Sequence, residues 1–194
     1  MADPGYIVDG VLTDGEAWVG IATTTIVGAS TAIVTFTSTD DGQVGDWSQY
    51  MDLVLVSYGR NGDGTANRMI MCLNNDTAAN YLLQQLYGDG SSASAAHSLA
   101  IGYVDFFWYP PSATAANVFA CSVANLYDIN SGKYKSVTSQ LAEDMNGSGY
   151  VALTASTWKN TSPITEIDLT DDSGDNIAAG SMFSLFGVLP RMVA

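Results

Sequence analysis

One segment limits the fold of this chain more than any other, because two apolar runs of strand length flank a turn. The runs are Leu53–Tyr58 and Met69–Leu73, with Asn-Gly-Asp-Gly at 61–64 between them. Asn-Gly is typical of tight turns, since both central residues of such a turn need positive φ. The segment predicts a β-hairpin whose apolar strands lie in the middle of a sheet.

Similar runs recur along the rest of the chain. They are short, rich in β-branched and aromatic residues, and about 8–12 residues apart, which is typical of an all-β sandwich or barrel. A single domain of this kind can use most of the 194 residues. We therefore predict an all-β fold, a single jelly-roll-like β-sandwich with roughly ten strands.

Three local features are predicted as well. Ile21–Val27 and Thr31–Thr37 are β-branched runs separated by a Gly-Ala-Ser turn, and they predict a first hairpin. Asn and Asp residues that suit an N-cap precede a segment that predicts one short helical turn near residues 76–81. The Gly-, Ser- and Ala-rich segment Gly88–Ser98 predicts a long mobile loop.

Composition divides the chain into three parts. Residues 1–17 are acidic and predict an extended N-terminal arm, residues 18–189 the β-sandwich, and residues 190–194 a C-terminal tail. Twenty Asp and Glu against six Lys and Arg give a formal net charge of −14. Phosphate binding needs clustered Lys and Arg, so we predict no nucleic-acid partner. The N-terminus lacks a signal-like region and no apolar run reaches ~20 residues, so we predict neither secretion nor a membrane partner.

Residues with catalytic or metal-binding chemistry are few and scattered. His97 is the only histidine and lies in the predicted loop, so a Ser–His–acid triad would have to use it. Cys72 and Cys121 lie in separate apolar runs and predict buried free thiols. Paired carboxylates for glycoside hydrolysis would have to come from Glu143, Asp144 and Asp105, the only acidic residues near strand ends, and a glycan-degrading enzyme is the last-ranked alternative. We predict a chain that is not an enzyme and has no cofactor, with surface Ca²⁺ binding by the acidic turn 171–176 as an alternative.

Aromatic residues crowd into the end of one apolar run before two prolines. An exposed aromatic patch is typical of a protein interface or a sugar-stacking platform, whereas a buried one belongs to a core. We favour core and interface, and we predict that this run and the N-terminal arm contribute contacts between chains or with a larger assembly. The candidate interface residues are Tyr6, Ile7, Val8, Tyr103, Phe106, Phe107, Trp108 and Tyr109.

Several segments also match the pattern of one protein family. The matching residues are Asp52–Leu55, Ser57, Arg60, Asn74, Asp76, Asn80, Tyr81, Leu86–Ser92, Lys135–Val137, Ser156–Trp158, Pro163–Ile167 and Phe183–Val188. In these strand and turn residues, the chain resembles a widespread group of virion structural proteins of tailed bacteriophages. The resemblance extends over about residues 18–188.

The resemblance implies a jelly-roll β-sandwich that is a structural part of the particle. Members are capsid decoration (cement) proteins, commonly homotrimers, or subunits of head and tail appendages. It therefore implies a protein on the capsid exterior that stabilises the head by bridging subunits of the major capsid protein, assembled in the host cytoplasm. The alternative is a tail-fibre or appendage domain that binds host-surface glycans. The family has no catalytic motif to transfer.

Overall fold

Short β-strands account for almost all of the regular structure. The computed structural model describes residues 7–8, 11–12, 18–64, 67–113, 117–145 and 147–189. In chain order the strands are β1 (Ile7–Val8), β2 (Val11–Leu12), β3 (Trp18–Thr25), β4 (Ile33–Thr37), β5 (Asp52–Gly59), β6 (Asn67–Leu73), β7 (Tyr81–Gly88), β8 (Ala93–Ile101), β9 (Val104–Tyr109), β10 (Ala120–Tyr127), β11 (Lys135–Ala142), β12 (Val151–Trp158), β13 (Glu166–Asp171) and β14 (Met182–Val188).

Helical structure is confined to one turn in this part of the chain. A 3-10 helix covers Trp47–Gln49, and the Asp46 side chain caps it by accepting a hydrogen bond from the Ser48 N–H at 3.0 Å. Among the described residues, no helix has the length and apolar character needed to cross a membrane.

Two antiparallel sheets pack face to face, and β1 and β2 pair with each other as a separate two-stranded ribbon. The large sheet has the order β3-β14-β5-β10-β11-β12-β7-β8, and the small sheet has the order β4-β13-β6-β9. Apolar side chains of both inner faces fill the space between them, among them Leu55, Met71, Phe106, Trp158 and Phe183. The predicted all-β sandwich is confirmed.

Eight of these strands have jelly-roll topology. Counted in chain order as β3, β4, β5, β6, β9, β10, β13 and β14, the first, eighth, third and sixth are neighbours in the large sheet, while the second, seventh, fourth and fifth form the small sheet. This is the strand order of two Greek keys wrapped into a jelly roll. Two inserted hairpins, β7–β8 and β11–β12, both widen the large sheet beyond β10. They raise the strand number above the roughly ten predicted.

The jelly-roll topology overturns both hairpins predicted from local sequence. β5 and β6, which flank the Asn-Gly turn, lie in different sheets, and so do β3 and β4. The chain crosses between the layers at each of these turns because a jelly roll places these consecutive strands in opposite sheets. The other part of the prediction is confirmed, since β5 and β6 are each flanked by strands on both sides.

The helical turn predicted near residues 76–81 is also wrong. Asn74 and Asn75 both have positive φ, at 52° and 56°, which turns the chain sharply after β6. The Asp76 carboxylate then accepts a hydrogen bond from the Ala78 N–H at 3.1 Å, closing an Asx turn in place of a helix cap. The chain enters β7 at Tyr81 directly afterwards.

The long mobile loop predicted for Gly88–Ser98 is mostly a strand. A tight turn follows β7, in which the Asp89 carboxylate accepts from the Ser91 and Ser92 N–H groups at 2.8 Å and 2.7 Å. The chain then returns along β7 as β8, and His97 lies opposite Gln84. Pairing with β7 therefore overrides the weak strand propensity of these Ala and Ser residues.

Candidate functional site

The outer face of the large sheet, the one turned away from the small sheet, is almost free of charge. Neighbouring residues of a strand point to opposite faces, so the outward set follows from the buried inward set. The outer face consists of Trp18, Gly20, Thr23, Thr25, Met182, Ser184, Phe186, Val188, Asp52, Val54, Val56, Tyr58, Cys121, Val123, Asn125, Tyr127, Ser136, Thr138, Gln140, Ala142, Val151, Leu153, Ala155, Thr157, Leu82, Gln84, Leu86, Gly88, Ala93, Ala95, His97 and Leu99. Among these residues, Asp52 is the only Asp, Glu, Lys or Arg.

This outer face also carries much of the exposed apolar surface. Of the thirteen large apolar side chains that are exposed in the described residues, eight lie on it, so the exposed apolar area is concentrated on one side of the sandwich. Leu99, Val151 and Leu86 are 68%, 66% and 60% exposed. Leu86 is paired with Leu153, which continues the apolar surface from β7 onto β12. Contiguous apolar surface of this kind is typical of interaction sites.

A groove with a volume of about 790 Å³ runs across the outer face from β5 to β8, toward one end of the strands. Val56, Leu86, Val123 and Leu153 contribute to its lining, and the side chain of Gln140 is among its few polar groups. No charged residue and no histidine lines it. The groove therefore offers apolar contact and a few hydrogen bonds, which suits a protein surface better than a reaction centre.

The outward side of the small sheet differs, because it carries charged residues. Glu166 of β13 and Arg68 of β6 both lie there, partly exposed. Arg68 forms ion pairs with Asp172 at 2.5 Å and with Asp105 at 3.4 Å. The two sides of the sandwich thus differ in the cost of removing water, which is high for charged groups and low for apolar ones.

The aromatic run that was predicted to form an interface is divided between the core and a partly exposed cluster. Phe106 and Tyr109 are fully buried in the core, so they present no surface to a partner. Tyr103 and Trp108 remain partly exposed, and their ring centres lie 6.0 Å and 5.7 Å from the Arg68 guanidinium carbon. Two carboxylates already pair with the Arg68 guanidinium, and the two rings pack beside it. The cluster therefore links β6 to β9.

The remaining candidate interface residues are only partly covered by the structure. Tyr6 and the side chain of Phe107 lie outside the described residues. Ile7 and Val8 form β1 and pair with Leu12 and Val11. A contact of these residues with a partner stays a prediction.

Two buried carboxyl groups have unusual surroundings. Both carboxylate oxygens of Glu143 lack a hydrogen-bond partner among the described residues, and burial raises the pKa of Glu143 to about 7. Burial also raises the pKa of Asp105 to about 6, although the nearby Arg68 guanidinium pulls it down. By strand alternation Glu143 lies on the inner side of the large sheet, whereas His97 lies on its outer face. The structure therefore does not bring Glu143 and His97 together.

Ca²⁺ binding by the acidic turn 171–176 was one of the predicted alternatives. In the structure this turn is hydrogen-bonded within the protein. Both carboxylate oxygens of Asp171 accept hydrogen bonds, from the Tyr109 hydroxyl at 2.6 Å, from the side chains of Asn67 and Asn61 at 2.8 Å and 3.2 Å, and from the Ser173 N–H at 2.8 Å. In the part of the chain that the structure describes, no three His, Cys, Asp or Glu residues cluster as metal ligands do. Ca²⁺ binding by this turn stays a prediction.

The two cysteines differ in exposure. Cys72 is buried and Cys121 is exposed, and both are free thiols. The prediction that both are buried is therefore wrong for Cys121. Its alternation along β10 places it outward, where it lines the groove.

Sequence reasoning missed the outer face, although a signal for it exists. The outward positions of β10, β11 and β12 contain no charged residue in a chain with a net charge of −14. Recognising a face in these separate strands requires the order of the strands in the sheet, which local patterns do not give.

Comparisons with known proteins give no family for this chain. No family model and no curated protein matches the sequence. One solved structure that gives a weak match is a CBM40 carbohydrate-binding module of a Ruminococcus gnavus sialidase, bound to alpha2,6 sialyllactose. The match covers 86% of this chain and 92% of that one, with 6% sequence identity and a TM-score of 0.28. At that score it carries no argument about function.

Proposed function

We propose that this chain is a structural subunit of a tailed-bacteriophage particle, namely a capsid decoration protein that docks on the major capsid protein through the outer face. The observation that carries docking is the nearly uncharged outer face on a chain with a net charge of −14. The assignment to a phage particle rests on the family resemblance of the sequence. A position on the exterior of the virion, assembly in the host cytoplasm and a homotrimeric state belong to the same proposal.

The physical argument is one of desolvation. Burial of apolar surface stabilises a complex by about 25 cal/mol per Å², whereas burial of an unpaired charge costs far more. The centres of protein interfaces are accordingly poor in charged residues and rich in Tyr, Trp and Met. Trp18, Tyr58, Tyr127 and Met182 supply these residue types on the outer face, and each is 41–48% exposed. The acidic remainder of the surface keeps the protein soluble before it docks.

The test is a binding measurement on shells assembled from the major capsid protein. Leu153→Lys and Val151→Lys each place a charge on the outer face, and we expect each to weaken shell binding by at least about tenfold, since a buried unpaired charge costs more than 1.4 kcal/mol. Ile33→Lys is the matched control, because Ile33 is 50% exposed but lies on β4, in the small sheet. Full shell binding by Leu153→Lys and Val151→Lys, or only a few copies per particle, would contradict the proposal.

A second candidate function is the recognition of host-surface glycans by a tail-fibre or appendage domain. The observation in its favour is the partly exposed pair Tyr103 and Trp108 beside Arg68, since aromatic rings stack on sugars. A glycan array measures this directly. Specific glycan binding that Trp108→Ala abolishes, together with no affinity for capsid shells, would favour this second function over the first.

A further inference from the structure

The free edge of β8 is a second exposed feature, and docking through the outer face does not use it. In the part of the chain that the structure describes, β8 pairs with β7 and with no other strand, so it ends the large sheet. It is nine residues long, Ala93–Ile101, and contains no charged residue and no proline. Half of the backbone N–H and C=O groups of an edge strand point away from the sheet, and natural proteins usually protect such edges with Lys, Pro or a bulge.

β8 is open on both of its faces as well as along its edge. Ala95 and His97 are exposed on the outer face, and Ala96 is exposed on the opposite side. Most of the side chains are Ala or Ser, which leave room for another strand to approach the backbone. The register with β7 is regular from Ala93 to Ser98, and its only shift lies nearer the other end of β8. A regular, uncharged row of hydrogen-bonding groups is therefore accessible along most of the strand.

The opposite edge of the large sheet lacks this regularity. β3 is also free of charge, but a register shift opposite Leu185 and Phe186 interrupts its middle. A bulge at that point disturbs the row of outward N–H and C=O groups. In the small sheet, the edge strand β9 contains the charged residue Asp105 and a register shift of its own. The other edge strand of the small sheet, β4, is uncharged and regular but has only five residues, against nine in β8. β8 is therefore the longest regular, uncharged edge among the described strands.

We propose that β8 pairs with β8 of a second copy of this chain, antiparallel about a two-fold axis near His97. Antiparallel pairing of a strand with itself is self-complementary, because the symmetry places the donors of each copy opposite the acceptors of the other. Two copies that each carry a net charge of −14 repel one another, and an uncharged edge lets them meet without juxtaposing like charges. With the axis at His97, Ala95 of one copy lies opposite Leu99 of the other.

This pairing has a geometric consequence for the outer face. A two-fold axis that reverses the strand direction within one sheet stands perpendicular to that sheet, so both outer faces lie on the same side. Two sheets of eight strands then become one sheet of sixteen with a continuous outer face. A single pair of edge strands buries less than the ~1,200 Å² of a standard interface, so the association is weak and depends on concentration. The proposal rests on β8 and does not require the proposed function; in a homotrimer, the same β8 pairing would join one trimer to another.

Sedimentation equilibrium of the full chain over a range of concentrations tests the pairing. We expect reversible association, and we expect Ala96→Lys to raise its dissociation constant at least about tenfold, because Lys on an edge strand disfavours strand addition. Ala155→Lys is the matched control, since Ala155 is exposed in the interior of the same sheet, and this variant should associate like the unmodified chain. A chain that stays monomeric at every concentration, or associates equally well as Ala96→Lys, overturns the proposal.

Cross-linking in a Cys121→Ser background tests the register. His97→Cys places two thiols beside the two-fold axis, within the 4.4–6.8 Å Cα separation that a disulfide needs, so we expect rapid covalent dimers on oxidation. Ala93→Cys is the control, because with this register Ala93 faces Ile101 of the second copy and lies about 26 Å from its own equivalent. Equal cross-linking of both variants, or pairing of β8 with another protein but never with itself, would also overturn the proposal.

Discussion

Trp158, the last residue of β12, donates its indole N–H to the Asp76 carboxylate at 2.8 Å. This bond ties the large sheet to the connection between β6 and β7, which crosses from one layer of the sandwich to the other. The same carboxylate accepts from the Asn80 side chain at 3.0 Å and from the Ala78 N–H at 3.1 Å. The Tyr81 ring stacks near the Trp158 ring with centres 6.3 Å apart. The Asp76 carboxylate therefore holds both the β6–β7 connection and the Trp158 indole in place.

We expect Asp76→Ala to lower the free energy of unfolding by about 1–3 kcal/mol. The substitution leaves the indole N–H of the fully buried Trp158 without its acceptor, and an unsatisfied buried donor costs energy in that range. Urea unfolding followed by tryptophan fluorescence measures the change. Asp40→Ala removes an exposed carboxylate and is the control. Equal effects of the two substitutions would show that the bond to Trp158 contributes nothing to stability.

Glu143 makes the stability depend on pH. Burial raises the pKa of Glu143 from 4.5 to about 7, so the folded chain holds a proton that the unfolded chain releases in this range. The unfolded state binds fewer protons there, and the free energy of unfolding falls as the pH rises from about 4.5 to 7. At ~1.4 kcal/mol per pKa unit, Glu143 lowers the free energy of unfolding across this pH range by an amount of the order of 3 kcal/mol.

Urea unfolding at pH 5 and at pH 8 measures this dependence. We expect Glu143→Gln to lose most of it, because a neutral amide has no proton to release and matches the protonated acid in shape. A smaller dependence of the same sign should remain, since burial raises the pKa of Asp105 as well, to about 6, against the pull of Arg68. An unchanged pH dependence in Glu143→Gln would contradict this assignment.

Gly187 allows β14 to pass close to an aromatic ring. A Cβ atom at this position would overlap ring atoms of Tyr50, whose hydroxyl donates a hydrogen bond to the Val44 carbonyl at 2.8 Å. We expect Gly187→Ala to destabilise the fold by about 1–3 kcal/mol, the usual cost of overpacking a core. Gly20→Ala is a matched control on the adjacent strand β3, because its Cβ would be 4.0 Å from the nearest atom, on Phe186. Thermal unfolding should separate the two variants clearly, and equal melting temperatures would refute the argument.

The two thiols should react at very different rates. Cys121 is exposed in the groove, whereas Cys72 is buried, and burial raises the pKa of the Cys72 thiol. We expect a maleimide to modify the native chain once, at Cys121, and to modify Cys72 only after unfolding in urea. Mass spectrometry with and without urea measures the stoichiometry. Native labelling that persists in Cys121→Ser would contradict the orientation of β10.

Local sequence predicted where many of the strands lie, because their boundaries depend on nearby turn residues. The apolar runs Leu53–Tyr58 and Met69–Leu73 were both predicted to be strands, and they form most of β5 and β6. Strand partners were not predictable in this way, since Leu55 pairs with Ala124 and Leu185, which are far away in sequence. Long-range packing decides such pairings, and it separated two runs that an Asn-Gly turn had predicted to be a hairpin.

The candidate site was harder to predict than the fold. The aromatic run around Trp108 attracted attention because aromatic residues are conspicuous in sequence, yet Phe106 and Tyr109 belong to the core. The outer face instead depends on residues that are ordinary one by one, such as Val151, Leu153 and Thr157. Their common property, the absence of charge, becomes visible when eight strands lie side by side in known order.

Trp18 and Val188 pair at one end of the large sheet, so the first and last strands of the jelly roll are neighbours. A short linker between these two positions would make residues 18–188 circular with little change to the sandwich. New termini could then be opened at an exposed turn such as the one around Gly132. A second protein fused before β3 or after β14 would start from the same corner, at the far side of the sheet from β8. The fold is therefore a suitable display scaffold, able to carry a passenger while β8 remains free.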